Sequence, residues 1–371
     1  TPPHDLQPRW LVDARESIDI ALLRETGVYA SVGGGLFQRP GQAGEQQLFG
    51  WYVPVEAVFP PIGLLRLNVD AMPVFLDDGE DQALGVSASA GIASPPFRRL
   101  FATARVGVSP IGFEQVNILW NGHLRFGILP KLSIGAMTSR VPVADSLLSW
   151  AGKTDLVTGQ FYGMISQLWL GGYATWNPGR TIDLGAMVRG GWTEGYGVEV
   201  NPFVEGVGWA GVGMGNPALE GRVGAEVIAA SHERQEDGFV LGQGGYFSPP
   251  LFVMAGPNLK GKARINGSKG ILCGSVFAGG QYVDGETTPW FGTGLTGVAR
   301  AGLGASVRLS PVVSMGIDGR IQVTTDLWHQ EAAIVHLDFG LQPGGPSAPT
   351  MTTVASPGAI LPASGDLCRV E

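Results

Sequence analysis

Two stretches near the C-terminal end alternate in hydropathy for longer than most folds need. Ala299, Ala301, Leu303, Ala305, Val307 and Leu309 alternate with Arg300, Gly302, Gly304, Ser306 and Arg308. Met315, Ile317, Gly319, Ile321 and Val323 alternate with Ser314, Gly316, Asp318, Arg320 and Gln322. A period of two places one set on each face of a strand. Strands of a soluble sandwich run about 5–6 residues, whereas a tilted strand that crosses a bilayer needs about 9–11. One face here carries charges of both signs and the other carries none, the pattern of a wall with lipid outside and water inside.

The same phase recurs. Leu65, Leu67 and Val69 alternate with Arg66, Asn68 and Asp70; Val223, Ala225 and Val227 alternate with Arg222, Gly224 and Glu226. Leu259, Gly261, Ala263 and Ile265 alternate with Lys260, Lys262, Arg264 and Asn266, and Ala333, Val335, Leu337 and Phe339 with Ile334, His336, Asp338 and Gly340. Leu156–Gly179 and Phe239–Leu259 are uncharged, but glycine, proline and polar residues break both, so neither is a membrane helix. Without helices, only a closed barrel satisfies every backbone group in hydrocarbon. Charged residues make up 15% of the chain and glycine 58 of its 371 residues, which suits such a wall better than a water-exposed surface. A net charge of -8 with no Lys/Arg stripe argues against nucleic acid as a partner. A soluble lectin-like sandwich is the competing fold, and it would stay dispersed without detergent.

Three segments fall outside the strand pattern. Ala14, Ile18, Ala21, Leu22 and Glu25 follow a helical spacing that Gly27 can stop, so residues 1–27 read as a periplasmic lead with a short helix. Thr1 to Asp5 has neither the basic start nor the apolar core of a signal peptide, so a mature or partial chain is expected. Residues 28–341 read as the barrel. Residues 342–371, rich in Pro, Gly, Ser and Thr, read as an irregular tail. The two cysteines, Cys273 and Cys368, can form one disulfide or remain two thiols; the sharper expectation is that the tail enters the lumen and the two are bonded.

Candidate chemistry is sparse. Gly206-Val-Gly208-Trp-Ala-Gly211 and Gly292-Thr-Gly294-Leu-Thr-Gly297 spell a dinucleotide fingerprint, but no helical pattern follows either. Of the five histidines, His123, His232, His329 and His336 show no paired spacing for zinc. Asp77 and Asp78 are adjacent to one another beside Gly79 and Glu80. Adjacent strand residues point to opposite faces, so a turn or a calcium-binding loop fits them better than a glycosidase pair. No enzyme, cofactor or metal site is expected. Trp150, Tyr162, Trp169, Tyr173, Trp176, Trp192, Tyr196, Trp209 and Trp290 suit the aromatic girdles of a barrel, or a track of flat surfaces along which pyranose rings slide.

The segment Arg140-Val-Pro-Val-Ala-Asp145-Ser-Leu-Leu-Ser-Trp150-Ala-Gly-Lys-Thr-Asp155-Leu-Val-Thr-Gly159 reads physically as a loop with turn residues at Gly152, Asp155, Thr158 and Gly159. It resembles the R-P-V-x-D-S-L-L-S-Y-A-G-x-x-D-P-x-T-G segment of the C-terminal outer-membrane barrel of the BcsC family of bacterial cellulose synthase proteins. Arg66 to Gly79, Ser109-Pro-Ile-Gly-Phe113 and Gly244-Gly-Tyr-Phe-Ser-Pro249 are similar to further motifs of that family, with Pro250 where the family usually has Gln. The resemblance runs from about Gly33 to Leu341 and implies an all-β antiparallel barrel of about 16 strands in the outer membrane of a Gram-negative cell. It also implies passage of a cellulose-like glucan from periplasm to exterior, driven from behind. The expected partners are outer-membrane lipid, the glucan chain and a periplasmic helical-repeat protein of a cellulose synthase complex; the family's helical repeats are missing here. The expected lumen set is Arg66, Asp70, Glu199, Asn201, Glu205, Arg222, Glu226, Lys262, Arg264, Arg300, Arg308, Asp318, Arg320 and Asp338. The structural alternative for each is pairing with an opposite charge on a neighbouring strand to hold the wall together, and for most of them both roles are expected. A barrel that exports nothing, a small-solute porin or a plugged structural component, is the alternative.

Overall fold

The computed structural model describes residues 27–62, 65–94, 99–129, 131–178, 181–216, 218–265, 270–286, 293–310, 312–325 and 329–340. The expected N-terminal helix, the tail, Cys368 and Trp290 lie outside these residues.

Eighteen strands follow one another: β1 (Tyr29–Arg39), β2 (Leu48–Tyr52), β3 (Val55–Val58), β4 (Arg66–Asp77), β5 (Gln82–Ala93), β6 (Leu100–Ile111), β7 (Ile118–Leu129), β8 (Leu132–Pro142) and β9 (Lys153–Thr154). The second half adds β10 (Phe161–Trp176), β11 (Ile182–Tyr196), β12 (Val198–Asn216), β13 (Leu219–His232), β14 (Leu251–Ile265), β15 (Gly270–Asp284), β16 (Gly294–Ser310), β17 (Val313–Thr324) and β18 (His329–Phe339). One helical turn, α1 (Leu147–Ala151), lies between β8 and β9.

Every strand of the wall pairs antiparallel with its neighbours, and β1 closes the ring on β18, from Ala30 opposite Phe339 to Gln38 opposite Glu331. β2 and β3 share one wall position between β1 and β4. Pro54, which has no N–H, sits at the break between them. β9 pairs only with β10, beyond the wall. The wall is thus a closed barrel of 16 antiparallel strands.

Burial follows the alternation. Val307, Leu303, Ile317, Val335, Val223 and Leu259 are exposed, and none of these positions carries a charge. Their strand neighbours Ser306, Gly304, Asp318, Ile334 and His336 are buried. A wall that is oily outside and enclosed inside belongs in a bilayer, where closure leaves no backbone edge unpaired. The longest connections (143–160 and 233–250) lie at one end, beside shorter ones such as 78–81 and 197, whereas those at the other end run from two residues (130–131, 217–218, 311–312) to seven (59–65). Outer-membrane barrels carry their long loops outside the cell, so the end bearing α1 faces the exterior.

Candidate functional site: the barrel lumen

The long β8–β10 connection folds into the ring. Ser146 and Ser149 cap α1 reciprocally: the Ser149 N–H donates to Ser146 Oγ (3.0 Å) and the Ser146 N–H to Ser149 Oγ (2.9 Å). Gly152 ends the turn at φ +76. All five residues of α1 are buried. An all-round buried helix needs walls on every side. Leu147, Trp150 and Ala151 pack on Phe37, Leu48, Tyr52, Val74, Leu76 and Ile334, contributed by β1, β2, β4 and β18. The strand β18 stands half the ring away from β10, where the loop rejoins the wall. The loop therefore crosses the lumen.

Its far limb is pinned at the rim. Lys153 Nζ bonds Asp78 Oδ2 (2.7 Å) and Asp81 Oδ2 (3.0 Å). Burial pulls the ammonium pKa down, but these two carboxylates outweigh it and leave it above the ordinary value. Asp155 accepts from the Thr158 N–H and hydroxyl (2.6 and 2.7 Å), which holds its carboxyl below the ordinary range. The return passes through Gly163 (φ +86) and Met164, a non-glycine at φ +50. A Cβ at Gly163 would stand 2.5 Å from the Leu148 carbonyl oxygen, so glycine is required where the chain turns back under α1.

The β13–β14 connection enters from the other side and meets it. Phe247 packs edge-on against Phe252 of β14, with ring centroids 5.4 Å apart. The Tyr246 hydroxyl is hydrogen-bonded to Thr193 Oγ1 (2.6 Å) and accepts from Asn201 Nδ2 (3.0 Å); burial pushes its pKa up to about 12. Two hydrogen bonds weld the loops: Ser146 Oγ donates to the Gly245 carbonyl (2.6 Å), and the Phe247 N–H donates to Asp145 Oδ2 (3.0 Å). Ser146 and Asp145 are 0% and 1% exposed. Together the two loops form a layer from the β18–β4 wall to the β11–β14 wall, across the exterior end of the lumen.

The expected lumen residues occupy inward positions of the wall, apart from Glu199, which stands exposed at the rim and pairs with Arg234. Asp70 takes Arg105 Nη1 (2.8 Å) and Ser89 Oγ (2.6 Å). Glu205 and Arg189 form a buried pair (2.8 Å), with Arg189 over the Trp169 ring at 5.0 Å. Arg300 reaches Glu226 (2.7 Å) across the face of Phe277. Arg222 pairs with Asp183 and Arg264 with Glu220 (3.5 Å) near the periplasmic end. Asp338 accepts from the Tyr29 hydroxyl (2.9 Å). Asn201 is fully buried and clamps Arg234: its Nδ2 donates to the Arg234 carbonyl (2.8 Å) and its Oδ1 accepts the Arg234 N–H (2.9 Å). Arg66 and Asp318 are buried, and Arg320 lies near Tyr52. Lys262 stands in register with Cys273, and Arg308 with Ser314.

Arg105, which also reaches Glu56 (3.6 Å), and the partners Asp183 and Arg189 were not among the expected residues, although Ala104, Val106 and Val108 alternate around Arg105 and Gly107 in the same way. More importantly, part of the lumen wall is not charged. From β8 to β16 the inward positions include Met137, Trp169, Tyr173, Met187, Phe203 and Met254, packed as one apolar cluster with Phe247 of the loop. The apolar residues on both phases of Leu156–Gly179 and Phe239–Leu259 were the available signal. The aromatic set divides accordingly: Trp169, Tyr173 and Trp209 belong to this inner cluster, whereas Trp176, Trp192 and Tyr196 are exposed on the outer wall.

The remaining motifs resolve structurally. Gly206–Gly211 lies within β12, and Gly294–Gly297 opens β16. Asp77 and Asp78 close the β4–β5 turn by accepting the Gly79 N–H (2.7 Å) and the Glu80 and Asp81 N–H groups (3.0 and 2.7 Å). No group of side chains suited to a metal ion occurs among the described residues.

Residues 50–310 match the family described as Cellulose synthase operon protein C C-terminus (BCSC_C). "Cellulose synthase operon protein C" of Komagataeibacter xylinus is 30% identical over 263 residues, covering 64% of this chain and 19% of the relative. "Cellulose synthase 2 operon protein C" of the same organism is 29% identical over 284 residues, covering 69% and 21%. The chain thus spans about a fifth of the length of these relatives. In fold it is similar to the solved "Bacterial polysaccharide outer membrane secretin", with a TM-score of 0.64 at 11% identity over 85% of this chain and 99% of that one. The match covers more than half of the sequence and falls on the wall and both inward loops: the chain belongs to the cellulose synthase operon protein C C-terminal family, as its outer-membrane barrel.

Proposed function

We propose that this barrel is the outer-membrane passage for a neutral, cellulose-like glucan, closed here by its two welded loops. The observation that carries this reading is the wall itself: bonded charge pairs and flat aromatic faces side by side in one ring. With the loop layer displaced, hydroxyls exchange hydrogen bonds with the paired charges, and apolar ring faces pack on the inner aromatic cluster that Phe247 now covers. Pairs such as Arg189 with Glu205 and Arg300 with Glu226 compensate their own charge, so contacts beside them are weak and the polymer can move on when pushed. Membership of the family supports cellulose as the polymer. The fourteen residues Arg66 to Asp338 named above are proposed as the polar part of this path. A periplasmic helical-repeat partner of a cellulose synthase complex is proposed to deliver the chain.

The test is a deletion in the native host. Surface glucan should fall and periplasmic glucan rise, with both reversed by the intact gene. Unchanged surface glucan, with altered uptake of small solutes, would instead favour a porin.

A further inference from the structure

Gln281 and Thr296 stand opposite one another on the inward side of β15 and β16, near the exterior ends of both strands. Gln281 is 1% exposed, yet neither its amide nitrogen nor its amide oxygen has a hydrogen-bond partner. The Thr296 hydroxyl is likewise buried and unpartnered. Other amides of the lumen are engaged: Gln330 accepts from Arg39 (3.4 Å), and Asn201 clamps Arg234. Leaving a buried polar group unpaired is costly, so several such atoms side by side point to a ligand that pairs them.

The surroundings define the chemistry of that ligand. Beside Gln281 the inward positions are Met254 on β14, Val283 on β15 and Val298 on β16, with Phe252 diagonal to it, and none is charged. All four are buried in one cluster with Phe247 of the loop layer, whose ring meets Phe252 edge-on at 5.4 Å. An ionic ligand would lose its hydration among these neighbours without gaining a counter-charge. A carboxamide offers donors and an acceptor, and a hydroxyl offers both. That set matches two adjacent hydroxyls of a sugar, one accepting from the amide nitrogen and the other donating to the amide oxygen. Once Phe247 leaves, the face of Phe252 is free to pack on the C–H groups of the ring.

We propose that Gln281, Thr296 and Phe252 form a glycosyl-binding subsite on the wall beneath the loop layer, covered by Phe247 and uncovered when the layer opens. It rests on the passage reading and adds to it three uncharged residues outside the charged set named above. One sugar unit is held by its hydroxyl edge on the amide and hydroxyl, and by its flat face on the aromatic ring. The unpaired groups gain partners only in the open state, so a glycan seated there shifts the layer toward open.

The whole protein carrying Asp145→Ala, which loosens the layer, is titrated calorimetrically in detergent with a neutral β-linked gluco-oligomer. Adding Gln281→Leu should weaken binding about tenfold, and the near-isosteric Thr296→Val about threefold, the scale of lost hydrogen bonds. Opening of the layer is read in each protein by amide exchange of 235–248. The leucine side chain removes unpaired groups and favours closure, so only a loss of affinity beyond the fall in opening counts as lost contact. No binding, unchanged affinity in both variants, or a loss no larger than the fall in opening would overturn the subsite, while glucan passage is judged by deletion in the host. Binding that depends on Gln281, with surface glucan unchanged by the deletion, would uphold the subsite and sink the passage.

Discussion

Asp145→Ala removes the joint between the two inward loops. Its carboxylate is 1% exposed and accepts the Phe247 N–H at 3.0 Å. The fully buried Arg39 guanidinium also feels its charge. Alanine strands a buried donor, worth about 1–3 kcal/mol, and takes the compensating charge from Arg39. About 3 kcal/mol, the upper end of that range, raises the population of the opened layer roughly 10²-fold. Amide hydrogen exchange read by mass spectrometry reports that population directly. Peptides covering 143–152 and 235–248 should exchange roughly 10²-fold faster, while peptides of β12, β16 and β17 stay as protected as before. Asp145→Asn keeps an acceptor oxygen and should fall between the two. Unchanged exchange in both loops, or loss of protection spread evenly over the barrel, would refute the idea of a layer that opens apart from its wall.

Other outcomes follow from the same geometry. Val307→Arg places a charge on the outer wall and should impair assembly by about 2–4 kcal/mol if near the midplane, whereas Arg308→Ala, one residue along, should assemble normally; electrophoretic heat-modifiability reads both. Glu205→Gln leaves Arg189 buried without its carboxylate and should cost about 3–5 kcal/mol in thermal unfolding. Gly163→Ala combines a φ of +86 with a 2.5 Å contact and should loosen α1 by at least about 1–2 kcal/mol, seen as faster exchange of 147–152. Burial raises the Glu236 carboxyl against the pull of Arg234, and raises Asp237 against its bond from Gln235. Released into water, both return to ordinary values. The packed loop binds protons more tightly, so its protonation-linked stability is complete below the ordinary carboxylate range and fades as pH rises through the raised values. Going from about pH 7 to about pH 4 should slow the opening of 235–248 after correction for intrinsic exchange, and faster opening would contradict it.

Alternation carried most of the wall. Strands such as Ala299–Leu309 announce both faces, because each charge on one phase meets an uncharged residue on the other. The inward loops were legible only as an unusual run around Asp145 and Trp150. Their burial depends on contacts with Phe37, Tyr52 and Ile334, which lie far away in sequence. The apolar band was hidden for a related reason: where Trp169 or Phe203 faces inward, both phases are apolar and the period of two vanishes. Pairings between distant strands, such as Arg300 with Glu226, depend on the curvature of the closed ring and leave no local trace.

The most direct test of the proposed passage is single-channel recording of Asp145→Ala, with reductant in both chambers and neutral β-linked gluco-oligomers on the periplasmic side. Brief current blocks whose duration grows with oligomer length are expected, since a longer chain contacts more of the wall. A steady ionic current that no oligomer length interrupts would contradict glucan passage through this lumen.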